Sequence, residues 1–146
     1  MGKFEHFELK EFTRSSVASV RGIDNTPTFE VVDRLEELIV NILEPLRIAW
    51  GSGLRVTSGY RSEALNTAVG GSVSSVHRLG YAADIVPVNG KIAEFIKFAP
   101  RWLAQQGIRW DQLIDETDSK GNRWLHVGVR SSSGAQRGQV LKMVKK

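Results

Sequence analysis

The 146-residue chain contains no cysteine. That excludes disulfide scaffolds, thiol nucleophiles and cysteine-ligated zinc. Histidine is nearly as scarce, with three residues in all, His6, His77 and His126. Any metal site must therefore draw on these together with Asp and Glu. Proline occurs four times and no apolar run approaches the ~20 residues a membrane-spanning helix needs. The start, MGKFEHFELKEFTRSS, lacks an apolar stretch followed by small residues, so synthesis in a cytoplasm without a secretory signal is expected. Twenty Lys and Arg against sixteen Asp and Glu give a net charge of +4, spread along the chain rather than clustered. This mild excess suits a polyanionic surface, but no nucleic-acid-binding motif accompanies it. Apolar residues at 41% and charged residues at 25% describe a globular chain, and its length predicts a single domain over 1–146.

The clearest helical pattern follows Asp24-Asn25-Thr26-Pro27, with Thr26 as the expected cap and Pro27 in the first turn. Val31, Leu35, Leu38, Ile42 and Leu46 recur at steps of three and four, and Pro45 is expected to kink the helix. Phe4, Phe7, Leu9 and Phe12 are expected to form a small satellite of the core. Leu54 to Ser58 reads as a strand. Ser62 caps a short helix from Glu63 to Val69, which Gly70-Gly71 ends. Ala82 to Val86 reads as a second strand. Lys91 to Phe98 is expected as one helix, with Pro100 starting another that ends at Gly107. Gln112 to Glu116 and Arg123 to Arg130 flank a turn at 118–122 and make a hairpin. Val140 to Val144 is a final strand. Helices first and strands later argue for an α+β fold.

The hairpin, placed in register about Lys120, sets Glu116 opposite Trp124 and Ile114 opposite His126. Side chains alternate along a strand, so Gln112, Glu116, Trp124, His126 and Gly128 share one face. Leu113, Leu125, Val127 and Val129 share the other, which must be the buried one. A one-residue slip would separate Glu116 from His126. His77 lies in a loop before the strand that carries Asp84, and Gly80 lets that loop fold back over it. Two imidazoles and a carboxylate suit Zn²⁺ with its fourth position open to water. Glu116 is the candidate general base, with Asp115 and Asp111 as rivals. Ser74 and Ser75 carry no nucleophile-elbow motif, and Ser75 is expected to hydrogen-bond within the site. His6 has no partner in sequence and is expected at the surface.

The spaced set Ser75-x-His77-x-x-Gly80-x-Ala82-x-Asp84, followed by Trp124-Leu125-His126-Val127, resembles the zinc D-alanyl-D-alanine metallopeptidases, a family that includes carboxypeptidases and phage endolysins. Further similarity runs through Phe7 to Arg14, Asp24 to Pro27, Val56 to Ser62 and Asp111 to Glu116. The resemblance implies a small antiparallel sheet, helices packed on one face and zinc on the other. It implies His77, Asp84 and His126 as ligands and Glu116 as base. Arg61 matches an arginine that holds the substrate carboxylate or the developing oxyanion. Many relatives end in His-x-His with a glutamate close by; here Leu125 precedes His126, so the base comes from further back. The implied substrate is a peptidoglycan stem peptide, cut by a D-Ala-D-Ala carboxypeptidase or an L-Ala-D-Glu endopeptidase. A monomer without membrane insertion is expected, acting at the bacterial wall after release, as a phage or prophage lysin does. Hedgehog-type signalling domains resemble the same scaffold, which leaves a non-catalytic zinc-binding recognition module as the alternative.

Overall fold

The apolar stripe that begins at Val31 forms as two helices joined by one wide turn in the computed structural model, which describes residues 4–144. Helix α1 is Ser16–Arg21, α2 is Phe29–Leu38 and α3 is Glu44–Trp50, with a π-helical turn at Ile39–Leu43 between the last two. The turn sits immediately before Pro45. There the Glu44 N–H bonds the Ile39 carbonyl, five residues back. This shift of the ladder absorbs a proline that lacks an N–H and whose ring would crowd the preceding turn. The cap of α2 is Thr28, whose Oγ1 accepts the Val31 N–H at 3.3 Å, and not Thr26 as the sequence suggested. Asp24 Oδ1 takes the Thr26 N–H at 2.9 Å, so residues 24–26 are spent on a turn.

Strand β1 is Leu54–Ser58, α4 is Glu63–Ala68 and a 3₁₀ turn covers Val76–Leu79. Strand β2 is Ala82–Pro87, α5 is Ile92–Gln105, and β3, β4 and β5 are Gln112–Thr117, Arg123–Gly128 and Gln139–Val144. Helix α5 runs unbroken through Pro100, where two helices were expected. Its apolar stripe Phe95, Ala99 and Leu103 is completely buried on both sides of the proline. That continuous packing outweighs the ~3 kcal/mol a mid-helix proline costs.

The five strands lie in the order β1-β2-β4-β3-β5. The first four are antiparallel, as expected, and β5 adds parallel to β3 at the edge. One face of the sheet, through Val56, Ile85, Leu113, Leu125 and Val127, packs on α2, α3 and α5 in one core. Phe7 and Phe12 are part of that core rather than a satellite to it. The opposite face is where the polar residues gather.

Candidate metal centre

The register places the chemistry. Asp84 on β2 lies opposite His126 on β4, and His126 lies opposite Ile114 on β3. One step along, Glu116 lies opposite Trp124, as the hairpin reading required. Asp84, His126 and Glu116 therefore share the face turned away from the helices. All three are buried, as is His77. Buried charge on this scale is costly unless each group has a partner.

His77 reaches the sheet from the 3₁₀ turn. Ser75 Oγ accepts the His77 backbone N–H at 3.2 Å, and Gly80 closes the turn in the left-handed region. A side chain at 80 would also press on the Val31 backbone at 2.9 Å. The imidazole Nδ1 lies 2.8 Å from the Gly59 carbonyl. A carbonyl only accepts, so Nδ1 carries the hydrogen and Nε2 is left with its lone pair. That Nε2 faces Asp84 Oδ1 at 3.3 Å, and His126 Nδ1 faces the same oxygen at 3.1 Å. The two rings are 5.1 Å apart at 69°, and one donor atom from each of the three residues falls within 4.8 Å of the others. An acceptor nitrogen and a carboxylate oxygen this close repel unless a proton or a cation lies between them. The donor set thus fits a small divalent cation of borderline softness.

Protonation points the same way. Burial holds the His77 imidazole below its ordinary pKa, against the pull of Asp84. Burial pushes the Asp84 carboxyl up, but the His77 and His126 rings at its Oδ1 outweigh that, most strongly whenever either ring is protonated, and hold it below the usual carboxylate range. A neutral imidazole beside an ionised carboxylate is the ligand form.

A groove of about 530 Å³ opens over the centre, lined by His77, His126 and Glu116. Its walls carry Ser72, Ser74 and Ser75 from the loop before His77, and Ser131, Ser132 and Ser133 from the loop after β4. Trp124 Nε1–H donates to Glu116 Oε1 at 2.8 Å, which fixes the carboxylate beside the cluster. The rival acids are engaged elsewhere. Asp115 points to the other face and takes a two-pronged bond from Arg123 at 2.9 Å for each prong. Asp111 is paired in the same way with Arg137, at 2.8 Å for each prong.

Arg61 stands beside the groove and not among its lining residues. Its Nη2 donates to Ser75 Oγ at 3.2 Å, and its backbone N–H bonds the His77 carbonyl at 3.1 Å. Burial lowers the guanidinium pKa, and the nearby Asp84 and Glu116 carboxylates oppose that. His6 lies away from the site, exposed, with Nδ1 2.8 Å from Glu44 Oε1.

Asn25 has a part in the site that its turn chemistry did not announce. Its Nδ2 donates to the Thr13 and Tyr60 carbonyls at 2.8 and 3.0 Å, and its Oδ1 accepts the Ser62 N–H at 2.7 Å. It therefore clamps both sides of Arg61 and steadies the segment whose Gly59 carbonyl orients His77. Gly59 itself packs on the Phe12 backbone so closely that no side chain fits. The sequence signal was the side chain itself: an Asn amide half-buried in a loop finds backbone partners.

An open groove over a buried two-histidine, one-aspartate cluster gives this α+β protein a candidate metal centre with the Glu116 carboxylate beside it. The model of the family Peptidase M15 matches residues 5–127, and the chain belongs to this family of metal-dependent peptidases. No curated protein matches it.

Proposed function

We propose that the chain is a zinc-dependent peptidase that hydrolyses peptidoglycan stem peptides at a bond involving a D-amino acid, at the bacterial wall. The reading rests on the convergence of His77 Nε2, Asp84 Oδ1 and His126 Nδ1, with both histidines and Glu116 lining a groove. A zinc ion held by these three donors supplies Lewis acidity, polarising a carbonyl and making water a nucleophile near pH ~7.

Glu116 accepts the proton given up by the attacking water and returns it to the leaving nitrogen. The C–N bond breaks, a C–O bond forms, and an acid and an amine are released. Trp124 keeps one Glu116 oxygen fixed, so the carboxylate needs no reorientation between the two transfers. Arg61, steadied by Ser75, stabilises the charge that develops on the carbonyl oxygen. The serine hydroxyls of the walls both donate and accept, which suits an extended peptide backbone.

The test is product analysis on defined muropeptides with the zinc-loaded protein, with and without chelator. Expected is release of stem-peptide fragments that chelator abolishes and Glu116→Ala suppresses with zinc still bound. Chelator-insensitive release, or none with zinc present, contradicts the reading. Retained activity in Glu116→Ala removes Glu116 as the base.

A further inference from the structure

Eight polar or charged side chains are buried among the described residues. His77, Asp84, His126 and Glu116 belong to the metal centre, and Asp115 answers Arg123 on the other face. Three remain, Asn66, Asp111 and Ser131, and each holds a wall of the groove. Asn66 Nδ2 donates to the Ser72 carbonyl at 2.8 Å, and its own carbonyl accepts the Gly71 N–H at 2.8 Å, which fixes the loop before His77. Ser131 Oγ accepts the Ala135 N–H at 3.1 Å and lies 2.9 Å from Ser133 Oγ, inside the loop after β4. Asp111 grips the far end of that second loop. Its Oδ1 accepts the Arg137 backbone N–H at 3.0 Å and Nε–H at 2.8 Å, and its Oδ2 accepts Nη2–H at 2.8 Å.

The near end of the same loop has a fork of its own. Arg130 donates from Nε and Nη2 to Glu37, at 3.0 Å each, and from Nη1 to the Gly134 carbonyl at 3.0 Å. A short run of Ser, Gly and Ala between two strands is ordinarily soft. Here it is pinned at both ends by an arginine–carboxylate pair and braced in the middle by Ser131. Polar groups buried in this way contribute little net stability, and what they fix is geometry. The loop also lies beyond residue 127, where the family match ends. Arg137 is the one Lys or Arg among the described residues lining the groove, and its guanidinium is held by Asp111.

Resting on the peptidase reading above, we propose that Asp111 and Arg137 are positioning residues for the substrate. Their fork keeps the wall from Ser131 to Arg137 in place, so that an uncharged stretch of peptide backbone lies against its hydroxyls. A wall ordered in advance avoids the entropy cost of being ordered by the substrate. The pair therefore acts on binding and takes no part in breaking the bond. Asp111, a rival to Glu116 in the sequence, becomes the anchor of the groove.

The experiment measures kcat, KM, zinc content and thermal unfolding near neutral pH, with the zinc-loaded full chain and a defined stem pentapeptide. Asp111→Asn is expected to raise KM about tenfold, with kcat and zinc content at wild-type values. Arg137→Lys, which keeps a cation opposite Asp111 but loses the fork, is expected to raise KM by less. Ser132→Tyr is a second probe that leaves the fork intact. Ser132 is exposed, lines the groove and has no positive φ, so the variant is expected to fold and to raise KM by narrowing the groove. A lower KM in Asp111→Asn overturns the proposal, because the freed guanidinium would then be gripping the substrate itself. An unchanged KM in that variant, or a fall in kcat alone, overturns it as well. Should Asp111→Asn unfold, an unchanged KM in both Arg137→Lys and Ser132→Tyr overturns it. Each of these outcomes leaves the peptidase reading standing, since wild type still turns over. No cleavage by zinc-loaded wild type overturns both readings together.

Discussion

On the helix side of the sheet, Leu113, Leu125 and Val127 are buried against α2, α3 and α5 and ask of their neighbours only volume and shape. On the other side of the same strands Asp84, Glu116 and His126 are buried to a similar degree, yet each needs a particular partner at a particular distance. A packed apolar face contributes stability in proportion to area, and alternative fillings are tolerated. A buried polar face contributes little or costs stability in the metal-free chain, and what it holds is geometry. The helix side is what makes the other side affordable. The strands are fixed by packing, and the chemistry is set upon them.

The difference can be broken one face at a time. The largest effect is expected from Glu116→Gln on the open face. Turnover should fall by about 10²–10⁴-fold while zinc content and thermal stability stay near wild type. Loss of stability with turnover retained would reverse the roles of the faces. Next is Leu125→Ala on the helix side. Denaturant unfolding should show a loss of about 2–5 kcal/mol, with zinc stoichiometry unchanged in the folded fraction. A smaller effect is expected from Asn25→Ala, which touches neither face. Zinc affinity, read by competition with a chelator, should drop about 10–100-fold because the Gly59 carbonyl no longer holds the His77 ring, with helix content preserved. Unchanged affinity would show that His77 is oriented without this clamp.

The smallest effect concerns acid. Burial pushes the Asp111 carboxyl up, but hydrogen bonds and charge from Arg137 outweigh it, so its pKa is depressed in the folded state. A depressed carboxylate contributes stability that is present above its unfolded pKa and is lost as pH falls below about 4. Asp111→Asn should flatten the pH dependence of unfolding in that acid range and leave it unchanged near neutrality. An unchanged acid limb would remove the Asp111–Arg137 pair as a source of acid sensitivity.

Much of the site was legible in the chain because strand alternation is a strong constraint. The polar turn at 118–122 fixed the hairpin register, and that register put Glu116 and His126 on one face. The meeting of His77 with Asp84 followed from Gly80 and the short loop. Three things were not legible, each for a physical reason. Pro100 reads locally as a helix start, and only the packing of Phe95, Ala99 and Leu103 keeps α5 whole. The parallel pairing of β5 has no signature in its own residues, since Val140 to Val144 alternates equally well against either neighbour direction. The Asn25 clamp joins segments 12 to 37 residues away, and hydrogen bonds of a loop side chain leave no period to read.

The central claim is that His77, Asp84 and His126 hold one divalent ion. Elemental mass spectrometry of the folded protein after zinc loading and desalting, for wild type beside Asp84→Ala, tests it most directly. Expected is one zinc per wild-type chain and none in the variant. Zinc-free wild type, or a variant that keeps its full zinc, would contradict the claim.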